Sequence, residues 1–353
     1  MSLFLGFTQA SDTEICLVKC IVLRVYLESI IGGGIMKSAS FRSIVIVAMV
    51  AHFQIALAED DQSFNKYVLA SVDKLYSEHH GGGYNISKAY THNMSYGDGM
   101  VKATQPPLSM CVSAVAEVII TAINMYAAEN NDKTPFTYLP ASSWSRMRPI
   151  DIRSHVWVDH RLDSFGTADA LVTFGIGKRT AFKNLKPGSF VNLNRTNRSG
   201  HAVVFMGFID GQGNVLPAHN DDVRGFKYFS SQGRGNVGDA GFAFRYAFFE
   251  KNGVKFCPPI ATGKRDCGVI WSTGQKYLNT GYMLPPSKWD RDSKDENLRL
   301  LVSGLYKQTR SKGLNFLGID PAVSEKQFER VLEAKDTMTL GDAYLSGNIT
   351  TDE

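Results

Sequence analysis

The chain has 353 residues, of which 44% are hydrophobic and 20% are charged. This balance is ordinary for a folded protein and excludes a chain that is disordered or collagen-like throughout. The net charge of +4 is too mild to predict a nucleic-acid partner.

Residues 36–58 have the pattern of a secretory signal peptide. Lys37 and Arg42 precede an apolar run over residues 44–51, and the segment closes on the small-residue motif "ALA". We therefore expect cleavage after Ala58, with a mature protein that is periplasmic or secreted. Once the signal is removed, nothing in the remaining sequence predicts stable insertion into a membrane.

Residues 1–35 need their own explanation, because a signal peptide normally begins at the true N-terminus. Three glycines stand just before Met36, and glycine codons at that place can be a bacterial ribosome-binding site translated by mistake. We interpret residues 1–35 as upstream translation from a misassigned start codon. The alternative is a real membrane segment or a longer leader, although the apolar stretch is short and is interrupted by Lys19 and Arg24.

The first half of the mature chain is predicted to be helical. In residues 61–77, apolar side chains recur at helical spacing between charged ones, which indicates an amphipathic opening helix. A loop rich in glycine and polar residues follows and ends at a Pro-Pro pair. Residues 109–129 are apolar nearly all round and predict a buried central helix. A shorter helix is predicted over residues 167–174.

The second half changes to strands before it returns to helices. The strand-like segments are "LKPGSFVNLN", "SGHAVVFMGFID" and "GFKYFSSQG". Helices first and strands after them predict an α+β domain, which we place at residues 59–290. Residues 291–353 contain the amphipathic patterns "DENLRLLVSGLYKQT" and "SEKQFERVLEAK", so we expect a C-terminal helical extension.

Three cysteines remain once the predicted leader is removed. Cys257 and Cys267 are close in sequence, and in an oxidising compartment we expect them to form a disulfide. Cys111 then stays a thiol. A thiol kept in an exported protein is either buried or chemically useful.

The surroundings of Cys111 favour chemistry. It begins the predicted central helix, where unpaired backbone N–H groups and the helix dipole stabilise a thiolate. His201 opens a strand and can act as the base. Gln105, six residues before Cys111, can donate to an oxyanion. Ser230 and Gln232, on the following strand, are the candidates that orient the imidazole.

This order of residues resembles the papain-like cysteine peptidases and, among them, the NlpC-type cell-wall peptidases. Members of that superfamily have a glutamine six residues before the nucleophilic cysteine, as Gln105 and Cys111 are spaced here. The family histidine begins a strand in a context like "GHAV", which this chain reproduces at His201. The segment "LKPGSFVNL" is similar to the Leu-x-Pro-Gly-Asp motif, with Ser189 in place of the acid. The resemblance covers roughly residues 100–235.

The resemblance implies a papain-like fold, in which a central helix carrying the cysteine packs on an antiparallel sheet. It also implies a cysteine hydrolase that cleaves amide bonds in peptidoglycan stem peptides and needs neither a metal nor an organic cofactor. This chain departs from the family pattern at the third catalytic residue, which orients the histidine. Where the family has Asn-Ser-Trp-Gly, this chain reads "SSQG", and serine orients an imidazole less well than asparagine. Because Gln232 shares a strand face with Ser230, either residue can take that role.

Other interpretations stay open. The same thioester can be resolved by an amine, which predicts an acyltransferase or transpeptidase. A secreted binding protein with a buried Cys111 is the non-enzymatic alternative. His79, His80 and His92 lie in or beside the glycine-rich loop and raise the question of a metal site. Because no paired cysteine or carboxylate stands at ligand spacing, we expect these histidines to line the cleft or face solvent.

Overall fold

The computed structural model describes residues 60–144, 150–157, 164–197, 199–233, 237–238, 240–250, 254, 256–261 and 263–303. The chain divides after residue 60, and the architecture given below is that of the unit that begins at residue 61. The predictions for the upstream segment and the signal peptide fall outside the described residues. So does the predicted helix beyond residue 303.

The helices predicted near residues 61–77, 109–129 and 167–174 and at the start of the C-terminal extension are present, with ends shifted by a few residues. Two short helices that were not predicted lie at residues 134–138 and 152–155, so the described residues form six α-helices. They are α1 (Asn65–His79), α2 (Cys111–Asn130), α3 (Thr134–Tyr138), α4 (Ile152–His155), α5 (Thr167–Thr173) and α6 (Arg291–Val302). Helix α2 is long and apolar enough to span a membrane by composition, but 78% of its most apolar window is buried inside the protein. It is therefore the core helix that its sequence predicts.

The three strands predicted in the second half of the chain are present at residues 190–194, 200–209 and 225–232, and with seven that were not predicted the described residues form ten strands. They are β1 (Met94–Tyr96), β2 (Gly99–Val101), β3 (Gly177–Arg179), β4 (Phe190–Asn194), β5 (Gly200–Ile209), β6 (Val215–Leu216), β7 (Gly225–Gln232), β8 (Gly241–Glu250), β9 (Lys264–Ile270) and β10 (Asn279–Met283). Strands β1 and β2 form a short antiparallel hairpin inside the segment predicted as loop. Their three-residue length gives too few alternations to recognise from sequence.

One large sheet organises the domain. Its strand order is β3-β10-β4-β5-β7-β8-β9, and β6 pairs with β5. Neighbours are antiparallel except for β8 and β9, which are parallel. A bridge between Arg195 and Val269 joins the end of β4 to β9. The strands from β4 to β9 therefore curl into a barrel, and the predicted α+β class is confirmed.

Strand alternation divides the apolar residues between two clusters. Val203 and Phe205 of β5 belong to a cluster that fills the barrel. Ala202 and Val204 belong to the larger cluster that also contains Cys111 and most buried side chains of α2. Helix α2 therefore packs on the outer face of the barrel, against β5 and β7.

Helix α6, the described part of the predicted extension, packs on the same body. Lys294 Nζ donates to Tyr138 O at 3.0 Å, and Asn297 Nδ2 donates to Thr173 O at 3.1 Å. Asp290 caps the helix, since its Oδ1 accepts from Ser293 N at 2.9 Å.

The predicted disulfide is present. Cys257 and Cys267 are bonded, with 5.6 Å between their Cα atoms. Arg265 crosses the loop that they close and donates to Cys257 O at 3.1 Å and Pro258 O at 3.0 Å. Cys111 is a buried thiol that takes no part in a disulfide with the described cysteines.

Candidate active site

Cys111 is the first residue of α2, as the sequence predicts. Met110 precedes it in an extended conformation, and no side chain caps this helix end. The positive end of a 20-residue helix therefore lies at the thiol. Only 2% of Cys111 is exposed, so a reactant must gain access to it.

His201 is the second residue of β5 and lies at the end of the barrel. It stands opposite Leu193 of β4, and Leu193 belongs to the cluster inside the barrel. The imidazole packs edge-on against the ring of Tyr228, with 5.6 Å between the ring centroids. Only 1% of His201 is exposed. Backbone pairing and ring packing together fix its position.

The surroundings of His201 favour its neutral form. Burial lowers its pKa well below the usual 6.5, and the positive charges of Arg195 and Arg245 lower it further. The Gln232 side chain acts in the opposite direction by hydrogen bonding. At neutral pH the imidazole is therefore uncharged and able to accept a proton.

The two candidates for the orienting residue have different partners. Ser230 Oγ donates to Ala202 O at 2.7 Å, so this hydroxyl fastens β7 to β5. Gln232 Nε2 donates to Ala243 O at 2.7 Å. That bond fixes the orientation of the Gln232 amide. Its oxygen is then the atom of the side chain that can accept a hydrogen bond. The oxygen is buried, and the Gln232 side chain lies close enough to His201 to raise its pKa.

The start of α2 and the histidine lie at the same end of the barrel. His201 is near the beginning of β5, and Gln232 ends the antiparallel neighbour β7. Between them and the helix, Ser231 Oγ donates to Ser109 O at 3.4 Å, two residues before Cys111. His201 shares the inward face of the sheet with Leu193, whereas Cys111 belongs to the outer cluster that contains Ala202. The two groups therefore lie at one end of the barrel but on opposite faces of β5.

Gln105 lies in the exposed turn that leads into α2. Its carbonyl oxygen accepts from Leu108 N at 3.0 Å. This turn places Gln105 on the approach to the helix start, and its role as an oxyanion donor stays a prediction.

A buried ionic network that was not predicted from the sequence lies beside His201. Arg195 binds Asp266 through two hydrogen bonds, of 2.5 Å from Nε and 2.6 Å from Nη2. Tyr228 Oη donates to the same carboxylate at 2.6 Å. The network holds both Arg195 and the ring that packs on His201. No local motif indicates it, because its members come from three separate strand segments.

Of the three histidines of the glycine-rich region, His80 is exposed, as expected, whereas His79 and His92 are half-buried beside α2. The rings of His79 and His92 are stacked, with centroids 4.1 Å apart. His92 Nδ1 lies 3.1 Å from Oε1 of the buried Glu117, which also accepts from Thr91 N at 2.9 Å. Because a buried carboxylate needs donors, these contacts tie the loop to the helix. Among the described residues, no group of three His, Cys, Asp or Glu side chains is arranged to hold a metal.

Comparison with known proteins gives no family for this chain. No protein-family model, no curated protein and no solved structure matches it. The functional argument therefore rests on the residues and geometry of this chain.

Proposed function

We propose that the chain is an exported papain-like cysteine hydrolase that cleaves amide bonds, with peptidoglycan stem peptides as its substrate. Cys111 is the nucleophile, His201 is the base and Gln232 orients the imidazole. The observation that carries the proposal is the position of Cys111 as the first residue of α2, at the end of the barrel where Gln232 meets His201.

The reaction follows from these positions. His201 takes the thiol proton, and the sulfur attacks the carbonyl carbon of the substrate. The oxyanion accepts hydrogen bonds from the Cys111 backbone N–H and from Gln105. His201 then returns its proton to the leaving amine, and the C–N bond breaks to leave a thioester. Water, deprotonated by His201, attacks the thioester, the C–S bond breaks to release the acid, and His201 returns its proton to the Cys111 sulfur.

The proposal requires the imidazole, which faces the barrel interior against Tyr228, to reach the thiol on the other face of β5 when substrate binds. A neutral His201 is suited to this sequence, because only a neutral ring can take the thiol proton. Export is supported by the leader pattern at residues 36–58 and by the Cys257–Cys267 disulfide, since such bonds persist in oxidising compartments.

Digestion of purified peptidoglycan with mature protein, followed by mass spectrometry of the fragments, tests the proposal. Cys111→Ala and His201→Gln should each abolish cleavage while circular dichroism stays unchanged. Ser113→Ala, a buried change two residues into the same helix, is the matched control and should retain activity. Fragment masses also separate hydrolysis, which adds water, from transfer to an amine. Cleavage at the wild-type rate by Cys111→Ala would sink the proposal.

A non-catalytic secreted binding protein is the second candidate, and the burial of Cys111 favours it. Iodoacetamide labelling separates the two functions. An activated thiol reacts quickly in the native protein at neutral pH, whereas a thiol that only fills space reacts at an ordinary rate and only after unfolding. Slow labelling, together with intact peptidoglycan after digestion, would establish the binding protein.

A further inference from the structure

Two buried hydroxyl groups near the start of α2 make no hydrogen bond within the described part of the chain. They belong to Ser109, two residues before Cys111, and Ser113, two residues after it, and 0% of either residue is exposed. Because Oγ is the one polar atom of a serine side chain, no other atom of these side chains can be paired. A buried hydroxyl without a partner lowers stability, so its presence needs a reason.

The two hydroxyls lie on different sides of the thiol. Ser109 forms a β-bridge with Tyr84, and Met110 after it is extended, with φ −131° and ψ 171°. Side chains two residues apart in extended backbone lie on one side of the chain, so Ser109 shares a side with Cys111. Ser113 lies two residues further into the helix, which places its side chain about 200° around the axis from that of Cys111.

The backbone of Ser109 is fixed from two directions. Its carbonyl oxygen accepts from Asn85 N at 3.0 Å and from Ser231 Oγ at 3.4 Å. Ser231 shares a face of β7 with Phe229, which belongs to the same outer cluster as Cys111. Ser109, Ser231 and the thiol therefore lie on one face of the barrel, and the Ser109 hydroxyl is carried by a backbone held to both the loop and the sheet.

The start of α2 and the Ser109 hydroxyl need the same kind of partner. The first N–H groups of a helix have no acceptor within the helix, and Met110 at the N-cap gives them none with its side chain. The Ser109 hydroxyl also has no acceptor among the described residues. Donors of both kinds beside a thiol suit an oxygen atom that becomes negatively charged during a reaction.

We propose that Ser109 is a catalytic residue whose hydroxyl donates a hydrogen bond to the oxyanion formed when Cys111 attacks an amide carbonyl. This inference rests on the proposed function and adds a donor to the Cys111 backbone N–H and Gln105. Gln105 lies in an exposed turn, whereas Ser109 is buried. A hydrogen bond from Ser109 is therefore less screened by water and stabilises the oxyanion more strongly.

The test measures kcat and KM for soluble peptidoglycan fragments in the wild type and in serine variants. Ser109→Ala should lower kcat by about a hundredfold to a thousandfold, the usual effect of losing one oxyanion donor. KM should change little, because this hydrogen bond is made in the transition state and not to the bound substrate. Ser109→Thr keeps a hydroxyl and should retain much more activity than Ser109→Ala.

Ser113→Ala is the matched control, since it removes an equally buried and equally unpaired hydroxyl from the other side of the helix. It should keep the wild-type kcat. Neither alanine variant should lower the urea midpoint, because each loses a hydroxyl that had no partner. A fall in kcat of Ser109→Ala at unchanged stability is therefore not a folding defect.

Iodoacetamide separates a role at the oxyanion from a role at the thiol. Alkylation joins the Cys111 sulfur to the methylene carbon of the reagent and releases iodide, so no oxyanion forms. Ser109→Ala should therefore be labelled at the wild-type rate although it cleaves amides slowly. Labelling that slows in parallel with cleavage would show that Ser109 acts on the thiol, and the inference would be wrong.

Three results of the cleavage assay would also overturn the inference. A wild-type kcat in Ser109→Ala removes the hydroxyl from the reaction, and the proposed function still holds if Cys111→Ala is inactive. Equal losses in Ser109→Ala and Ser113→Ala attribute the effect to packing at the helix start. If the wild type and Cys111→Ala both leave peptidoglycan intact, the proposed function fails and the role of Ser109 fails with it.

Discussion

Gln232 is held between β8 and His201. Its Nε2 donates to Ala243 O at 2.7 Å, and the side chain lies beside the imidazole of His201 and raises its pKa. A side chain fixed at one end by backbone and meeting a titratable ring at the other is suited to orient that ring. The geometry therefore favours Gln232 over Ser230 for the third position.

Replacement of Gln232 by alanine should lower kcat/KM by at least about tenfold, since a base contributes about a hundredfold or more only when it is correctly oriented. The acid limb of the pH–rate profile should also move to lower pH. The reason is that removing a hydrogen bond that raises the pKa of His201 lets the ring stay neutral in more acid.

Ser230→Ala is the matched control for Gln232→Ala. The hydroxyl donates to the backbone of Ala202 and not to His201, so its loss should leave the pH profile in place. If Ser230→Ala shifts the profile and Gln232→Ala does not, the roles of the two residues are reversed.

The ion pair between Arg195 and Asp266 should contribute strongly to stability. Asp266→Asn leaves the buried Arg195 charge uncompensated and should lower the free energy of unfolding by about 3–5 kcal/mol. Tyr228→Phe removes one hydrogen bond to the same carboxylate and should cost less, about 1.5–3 kcal/mol. Urea denaturation followed by fluorescence measures both. Equal losses in the two variants would contradict this account of the network.

Much of the fold could be predicted from local sequence. The Pro-Pro pair followed by an apolar run placed Cys111 at a helix start, and the alternating segments "HAVVFMGF" and "FKYFSSQ" became β5 and β7. These predictions succeed because helix starts and alternating strands depend on neighbours in sequence. The order along the chain of the Cys111 helix, the strand of His201 and the strand of Gln232 could therefore also be predicted.

The polar partners could not be predicted in the same way. Arg195 and Asp266 are 71 residues apart, and they meet only because the barrel closes. Similarly, the apolar neighbours of Glu117 predict that its helix is buried. No pattern in the sequence around Glu117 shows that Thr91 and His92 are the partners of its carboxylate. The choice between Ser230 and Gln232 also depended on tertiary contacts, because both share one strand face.

Removal of the disulfide should destabilise the fold moderately. Cys257 and Cys267 are separated by ten residues, and closing a loop of that length restricts the unfolded chain by about 2–3 kcal/mol. The double variant Cys257→Ser/Cys267→Ser should therefore have a lower urea midpoint under non-reducing conditions. Its midpoint should not change further when dithiothreitol is added, whereas that of the wild type should fall. A wild-type midpoint that is indifferent to reductant would contradict the prediction.

The stability of the protein should decrease as the pH falls below about 6.5. His201 has a pKa in the folded protein well below that value because it is buried near Arg195 and Arg245. The unfolded chain, with an ordinary histidine, therefore binds a proton that the folded protein refuses. Below the unfolded pKa, each pH unit should lower the free energy of unfolding by up to about 1.4 kcal/mol for this group, until the folded pKa is reached.

The measurement compares urea unfolding of the wild type and His201→Gln at pH 7.5 and pH 5. Glutamine does not titrate, so the variant should lose less stability between the two pH values. The pKa of His79 is also lowered by burial and by His92, so this residue causes the same loss of stability at low pH in both proteins. The difference in stability loss between the wild type and the variant therefore reports on His201 alone. The same pH loss in wild type and variant would show that His201 is protonated equally in the folded and unfolded states. An imidazole that is protonated so easily would not be buried between Tyr228 and two arginines. The proposed role of His201 as a neutral base would then be wrong.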